Sequence, residues 1–149
     1  MSQFRRILHP TDFSRASKAA LARAVDLALD HKAELLLLHV LVPAAPYIGE
    51  DSYVAPALYT ELEATARRDA EKAMAAVLRK LKASKINAKS LLATGTPYDQ
   101  IVRIAKNRRA DLIVIGTHGR TGISKFFMGS VASRVIALAH CPVLTVRAR

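Results

Sequence analysis

Short apolar runs bounded by proline, glycine and aspartate alternate along this chain with stretches of helical length, and no other feature narrows the fold so far. Phe4 to Leu8 begins a first strand, which Pro10-Thr11-Asp12 closes before Ser14 opens an alanine-rich helix to about His31. Glu34 to Val40 is a leucine-rich second strand that stops at Pro43. Residues 43–58, with Pro43, Pro46, Gly49 and Pro56, read as the one long irregular segment and the most mobile element, followed by an amphipathic helix from about Tyr59 to Ala83. Ile86 to Leu92 is a less apolar strand, suited to a sheet edge. Thr96 as cap, Pro97 at the first helical position and Asp99 in the first turn specify a helix from Pro97 to about Asn107. A fourth strand at Asp111–Ile115, a helix from about Ser130 to Ala139 and a last strand at Pro142–Arg147 complete a βαβαβαβαβ order.

That order predicts an α/β fold: a single doubly wound, Rossmann-like parallel sheet of five strands, order 3-2-1-4-5, with right-handed crossovers and helices on both faces. All of residues 1–149 fit one domain, long enough to bury a core without disulfides or metal. In such sheets ligands sit beyond the carboxyl ends of the strands, where the winding direction reverses. Here the reversal falls between the first and fourth strands. It brings the Pro10-Thr11-Asp12 turn opposite the segment that follows Ile115, over a hundred positions later in the chain.

That second segment reads Gly116-Thr117-His118-Gly119, then nine residues, then Gly129-Ser130-Val131 at a helix start. Glycines let an anion approach main-chain N–H groups, and a helix start adds unpaired amides and the positive end of its dipole. Two N–H clusters then converge on one crevice and read as a phosphate site, with turn glycines as the plainer alternative. Asp12 is either a helix-capping carboxylate or an acceptor for ribose hydroxyls. His39-Val40 ends the second strand, where main-chain groups can read an adenine edge while Val40 packs on its face; plain core is the other reading. His118 has no carboxylate near it in sequence to orient it as an acid or base, and Arg120 and Lys125 rank as secondary phosphate contacts.

Absences narrow the reading further. No G-x-x-x-x-G-K-[ST] occurs, no G-x-G-x-x-G follows the first strand, and the third strand ends in Ala93-Thr94-Gly95 rather than an aspartate. The first excludes a P-loop ATPase, and the others argue against a dinucleotide-binding site and a phospho-accepting receiver domain. No metal-ligand spacing appears. The lone Cys141 fits a reducing compartment, and neither a secretory signal nor a membrane-length apolar run is present, so a cytoplasmic, soluble protein is expected. The net charge of +11 lies mostly on helix surfaces and turns, without base-stacking aromatics, so no specific nucleic acid and no membrane are expected as partners.

From Ile7-Leu8-His9-Pro10-Thr11-Asp12 to Cys141-Pro142-Val143-Leu144-Thr145-Val146 the sequence resembles the universal stress protein family, and G-x2-G-x9-G-[ST] matches the pattern of its ATP-binding, UspA-like branch. The resemblance implies a doubly wound domain holding ATP, with Mg²⁺ as companion. It places Asp12 near the ribose, Val40 near adenine, Ile115 at the nucleoside, and Gly116, Gly119, Gly129, Ser130 and Val131 around the phosphates. Pro10, Thr11, His118 and Arg120 complete the expected nucleotide-binding set. It also implies a homodimer through the last strand, residues 142–147, an unidentified regulatory protein partner, and a nucleotide-dependent regulator of stress response. Two other functions stay in play: a slow Mg²⁺-dependent ATPase or autokinase with Ser124 or Ser130 as acceptor, and a basic interaction module with no nucleotide role, binding nucleic acid through Arg67-Arg68 and the lysine-rich helix end.

Overall fold

A computed structural model describes residues 3–43, 55–118 and 129–148. They form β1 (Arg6–Pro10), α1 (Arg15–His31), β2 (Glu34–Leu41), α2 (Pro56–Ala83), β3 (Ala88–Thr94), α3 (Pro97–Asn107), β4 (Leu112–Gly116), α4 (Ser130–Leu138) and β5 (Val143–Val146). The five strands are parallel in the order β3-β2-β1-β4-β5, as the alternation predicts.

The sheet separates two apolar layers. Ile7, Leu35 and Val114 face α1 and α2, whereas Leu8, Leu36, Leu38, Ile113 and Ile115 face α3 and α4. Leu35 to Leu38 are buried on both sides of the sheet, which is why β2 reads as a continuous leucine run. Buried Ala16, Ala20, Ala24 and Ala28 recur every fourth position of α1, so the centre of its sheet-facing stripe is small and lies close against the strands, with Leu21, Val25 and Leu27 packing at its flanks. Its N-cap is Ser14, whose hydroxyl accepts from Ser17 N–H.

Several boundaries move. β1 starts at Arg6, two residues later than expected, and closes on Pro10, which puts a proline at the end of the central strand of the sheet. Asp111 N–H donates to Arg6 C=O, whereas Thr11 N–H donates to Leu38 C=O, so by alternation Pro10 faces β4, where it has no proton to give. The neighbouring imidazole makes good the loss: His9 Nδ1 donates to Val114 C=O at 2.9 Å. β3 lies two residues later than expected, its register running from Leu35↔Ala88 to Leu41↔Thr94. α2 starts at Pro56, three residues early, with proline in its first turn. Thr96 occupies the N-cap of α3 but makes no side-chain capping bond, leaving Pro97 and Asp99 as the helix-start signals that operate.

Candidate functional site

At the carboxyl ends of the strands, between β1 and β4, lies a crevice of about 820 Å³. Pro10, Thr11, Asp12, Val40, Ile115, Gly116, His118, Gly129, Ser130 and Val131 all line it. Gly119 and Arg120, with Ser124 and Lys125, lie outside the described residues.

The β1–α1 turn holds itself together through side chains. Thr11 Oγ1 accepts from Phe13 N–H at 3.1 Å, and Asp12 Oδ1 accepts from Ser14 N–H at 2.9 Å and from the Ser17 hydroxyl at 2.6 Å. Ser17 Oγ in turn accepts from Asp12 N–H at 3.2 Å. With the amides of residues 12 to 14 committed, this turn offers the crevice a carboxylate rather than N–H groups. Phe13 takes the left-handed conformation (φ 62°), and its ring packs on the His39 ring at 4.7 Å. The same His39 donates through Nδ1 to Thr11 C=O at 2.7 Å.

Beyond that point β2 runs past the end of β1. Leu38 C=O accepts from Thr11 on the β1 side and Leu41 C=O accepts from Gly95 on the β3 side, so alternation turns Val40 N–H and C=O toward β1. The pairing of β1 with β2 stops at Pro10↔Leu38. Val40 therefore presents one donor and one acceptor, 2 residues past the last pair, to the crevice.

Across the crevice stands the start of α4. Gly129 is its N-cap and accepts from Ser133 N–H through its C=O, while Gly129 N–H donates to Thr117 C=O. Thr117 N–H donates to Val146 C=O at 3.0 Å, tying the end of β4 to β5. The amides of Ser130, Val131 and Ala132 are the first-turn donors that a helix cannot satisfy internally, and all three residues line the crevice. Together with the helix dipole they form an anion-binding end. His118 is half-buried with Nδ1 2.9 Å from Thr117 Oγ1.

Gly116 answers to packing. A Cβ there would meet Ala16 C at 2.8 Å, Ala16 O at 2.9 Å and Ala16 Cβ at 3.0 Å, so this glycine is what lets α1 seat against β4. His9 is wholly buried, and burial lowers its pKa to about 4 against the opposing pull of the Val114 bond and Asp12, keeping the ring neutral. Its role is to complete the sheet at Pro10.

Sequence reasoning missed one wall. Ala66, Asp69, Ala70 and Ala73 of α2, with Pro97 and Ile101 of α3, also line the crevice. Their signal was present: small residues at three- and four-residue spacing on one face of a helix otherwise rich in charge. Among the described residues no cluster of three metal-ligating side chains occurs, and no helix is long and apolar enough to cross a membrane.

The sequence matches the universal stress protein family over residues 3–147. A universal stress protein of Thermus aquaticus is 38% identical, the match covering 97% of this chain and 99% of that one. The solved structure of protein MJ0577, a universal stress protein of Methanocaldococcus jannaschii, superposes with a TM-score of 0.86 at 28% identity, covering 99% of both chains. A universal stress protein solved in complex with cAMP is 21% identical with a TM-score of 0.72, covering 99% of this chain and 100% of that one, a likeness of fold.

Proposed function

This chain belongs to the universal stress protein family, and from that premise we propose that its crevice holds an adenine nucleotide, ATP foremost, whose occupancy makes the protein a regulator in stress response. The observation that carries the reading is the open first turn of α4 facing, across one crevice, the outward-turned main chain of Val40. Ser130, Val131 and Ala132 amides receive the phosphates. Val40 N–H and C=O meet the polar edge of adenine and its side chain packs on the ring. Asp12 accepts from ribose hydroxyls, a task for which a carboxylate is suited and an anion cradle is not. Pro10, Thr11 and Ile115 border the nucleoside. Gly119, Arg120 and His118 belong with the phosphate end, where Mg²⁺ would accompany ATP and offset charge on the phosphate oxygens. The volume of about 820 Å³ suits a ligand of this size. The cAMP complex of a protein of the same fold supports an adenine ligand.

Regulation follows from Thr117. It accepts from Gly129 at the phosphate end and donates to Val146 at the sheet edge, so ordering α4 around phosphates bears directly on β5. β5 is the edge through which a homodimer would form and on which a regulatory partner would sense the nucleotide.

Ser130→Pro tests the site. Ser130 is the first helical residue of α4, and the preceding Gly129 has φ −58° and ψ 150°, a conformation that tolerates a following proline. The substitution deletes one phosphate-facing amide and leaves the helix intact. One such charge-assisted bond contributes about 1.5–3 kcal/mol, so calorimetry should show ATP bound roughly tenfold or more weakly. Unchanged ATP affinity in the folded variant refutes the reading. Steady-state phosphate release above background would instead assign a slow ATPase.

A further inference from the structure

We infer that the pole of the molecule opposite the crevice, at the amino ends of the strands, is a docking surface for the phosphate backbone of duplex nucleic acid, bound without sequence preference. Three consecutive helices end there in the same unusual way. Lys32 after α1, Lys85 after α2 and Arg109 after α3 all take the left-handed conformation, at φ 53°, 61° and 54°. Helix ends of this kind ordinarily use glycine, because a Cβ is disfavoured there. Here each position carries a long cationic side chain instead.

Each of the three lies just before β2, β3 or β4. In the order β3-β2-β1-β4 these three strands lie within four adjacent positions, with β1 between β2 and β4. The caps therefore stand at one end of the sheet across three strand spacings, roughly 15 Å, Lys32 and Lys85 entering from one face and Arg109 from the other. All three are exposed, and none forms an ion pair with the described residues. Two of the carboxylates at this end are already engaged, Glu34 being shared by Arg6 at 3.3 Å and Lys89 at 2.7 Å and Asp111 Oδ2 accepting from the amides of Arg5 and Arg6. Asp30 in the last turn of α1, by contrast, is exposed and offsets one charge near Lys32. Complementing the helix dipoles does not explain the row. Lys80, Lys82 and Lys106, inside the last turns of α2 and α3, already do that without a left-handed backbone.

Charge in a row suits a polyphosphate. Among the described residues no Phe or Tyr side chain is exposed, so this pole shows neither the stacking platform that single strands use nor the aromatic anchor of a protein interface. Phosphate neutralisation needs neither.

The test is anisotropy of a labelled random-sequence duplex titrated with the full chain between 50 and 200 mM salt. Two triple variants remove equal charge. K32G/K85G/R109G clears the caps and gives the left-handed positions the residue they favour, so its melting temperature should hold or rise. R67A/R68A/K72A clears the same charge from α2 at about 20 Å or more along the helix from Lys85. The cap variant should lower the slope of log K against log salt by about 2 to 3 and weaken low-salt binding at least tenfold; the α2 variant should change neither. Equal losses in both variants, or no duplex binding by the unaltered chain at 50 mM salt, overturn the inference. So does polyglutamate competing as well as duplex at equal charge, which would assign the pole to acidic proteins.

Discussion

Replacing Gly116 with alanine should destabilise the protein before any ligand is added. The added Cβ would lie 2.8 Å from the backbone carbon of Ala16 and 2.9 Å from its oxygen, where ordinary contacts begin at 3.4 Å. Those atoms belong to the first turn of α1 and cannot rotate away, so the helix must retreat by about half an ångström from the sheet. The most buried positions of its sheet-facing side are a ladder of alanines at Ala16, Ala20, Ala24 and Ala28, each 5% exposed or less, which lie flat on the strands and leave no slack beneath the helix. Overpacking of this kind costs about 1–3 kcal/mol. For a chain of this size that corresponds to a fall in melting temperature of roughly 3–9 °C, measured by calorimetry without nucleotide. Because the first turn of α1 carries Ser17, which holds Asp12, ATP affinity should fall as well. A melting temperature within about 1 °C of the unaltered protein would show that α1 has room at this point and that the packing argument is wrong.

Acid should act through His9. Its pKa falls from 6.5 to about 4 on folding, so the unfolded chain takes up this proton first and the stability is intact above pH 6.5, then lost progressively as pH drops to 4, up to about 3 kcal/mol. His9→Asn keeps a donor near Val114 and removes the titration, so denaturant midpoints at pH 7 and 4.5 should differ less in the variant; an equal difference counts against the assignment. Asp12→Asn should weaken ATP severalfold but leave 2′,3′-dideoxy-ATP almost unaffected, as calorimetry can read, whereas equal loss for both ligands would remove the ribose role.

Much of the fold was legible because apolar runs and turn residues alternate cleanly, and alternation in a parallel sheet leaves few topologies. How β1 accommodates its closing proline was not legible, for a physical reason. Proline ordinarily closes a central strand, and nothing local says that the preceding histidine supplies the missing donor from its side chain. Gly116 looked like loop chemistry because a glycine after a strand carries no mark of the helix packed on it from a hundred residues away. Likewise, Phe13 gives no hint of its left-handed backbone, which the Thr11, Asp12 and Ser17 bonds impose together. The ten site residues within the described chain do share one crevice. What the sequence pattern could not apportion was which amides are spent internally: Gly129 N–H goes to Thr117, and the open donors begin at Ser130.

The most direct measurement is a ¹⁵N-resolved NMR titration with ATP. The account predicts that the amide signals of Val40 and of Ser130, Val131 and Ala132 move together and saturate at one site, with adenosine moving Val40 but not the α4 signals. Shifts confined to residues outside the crevice, or no shift at saturating ATP, would contradict it.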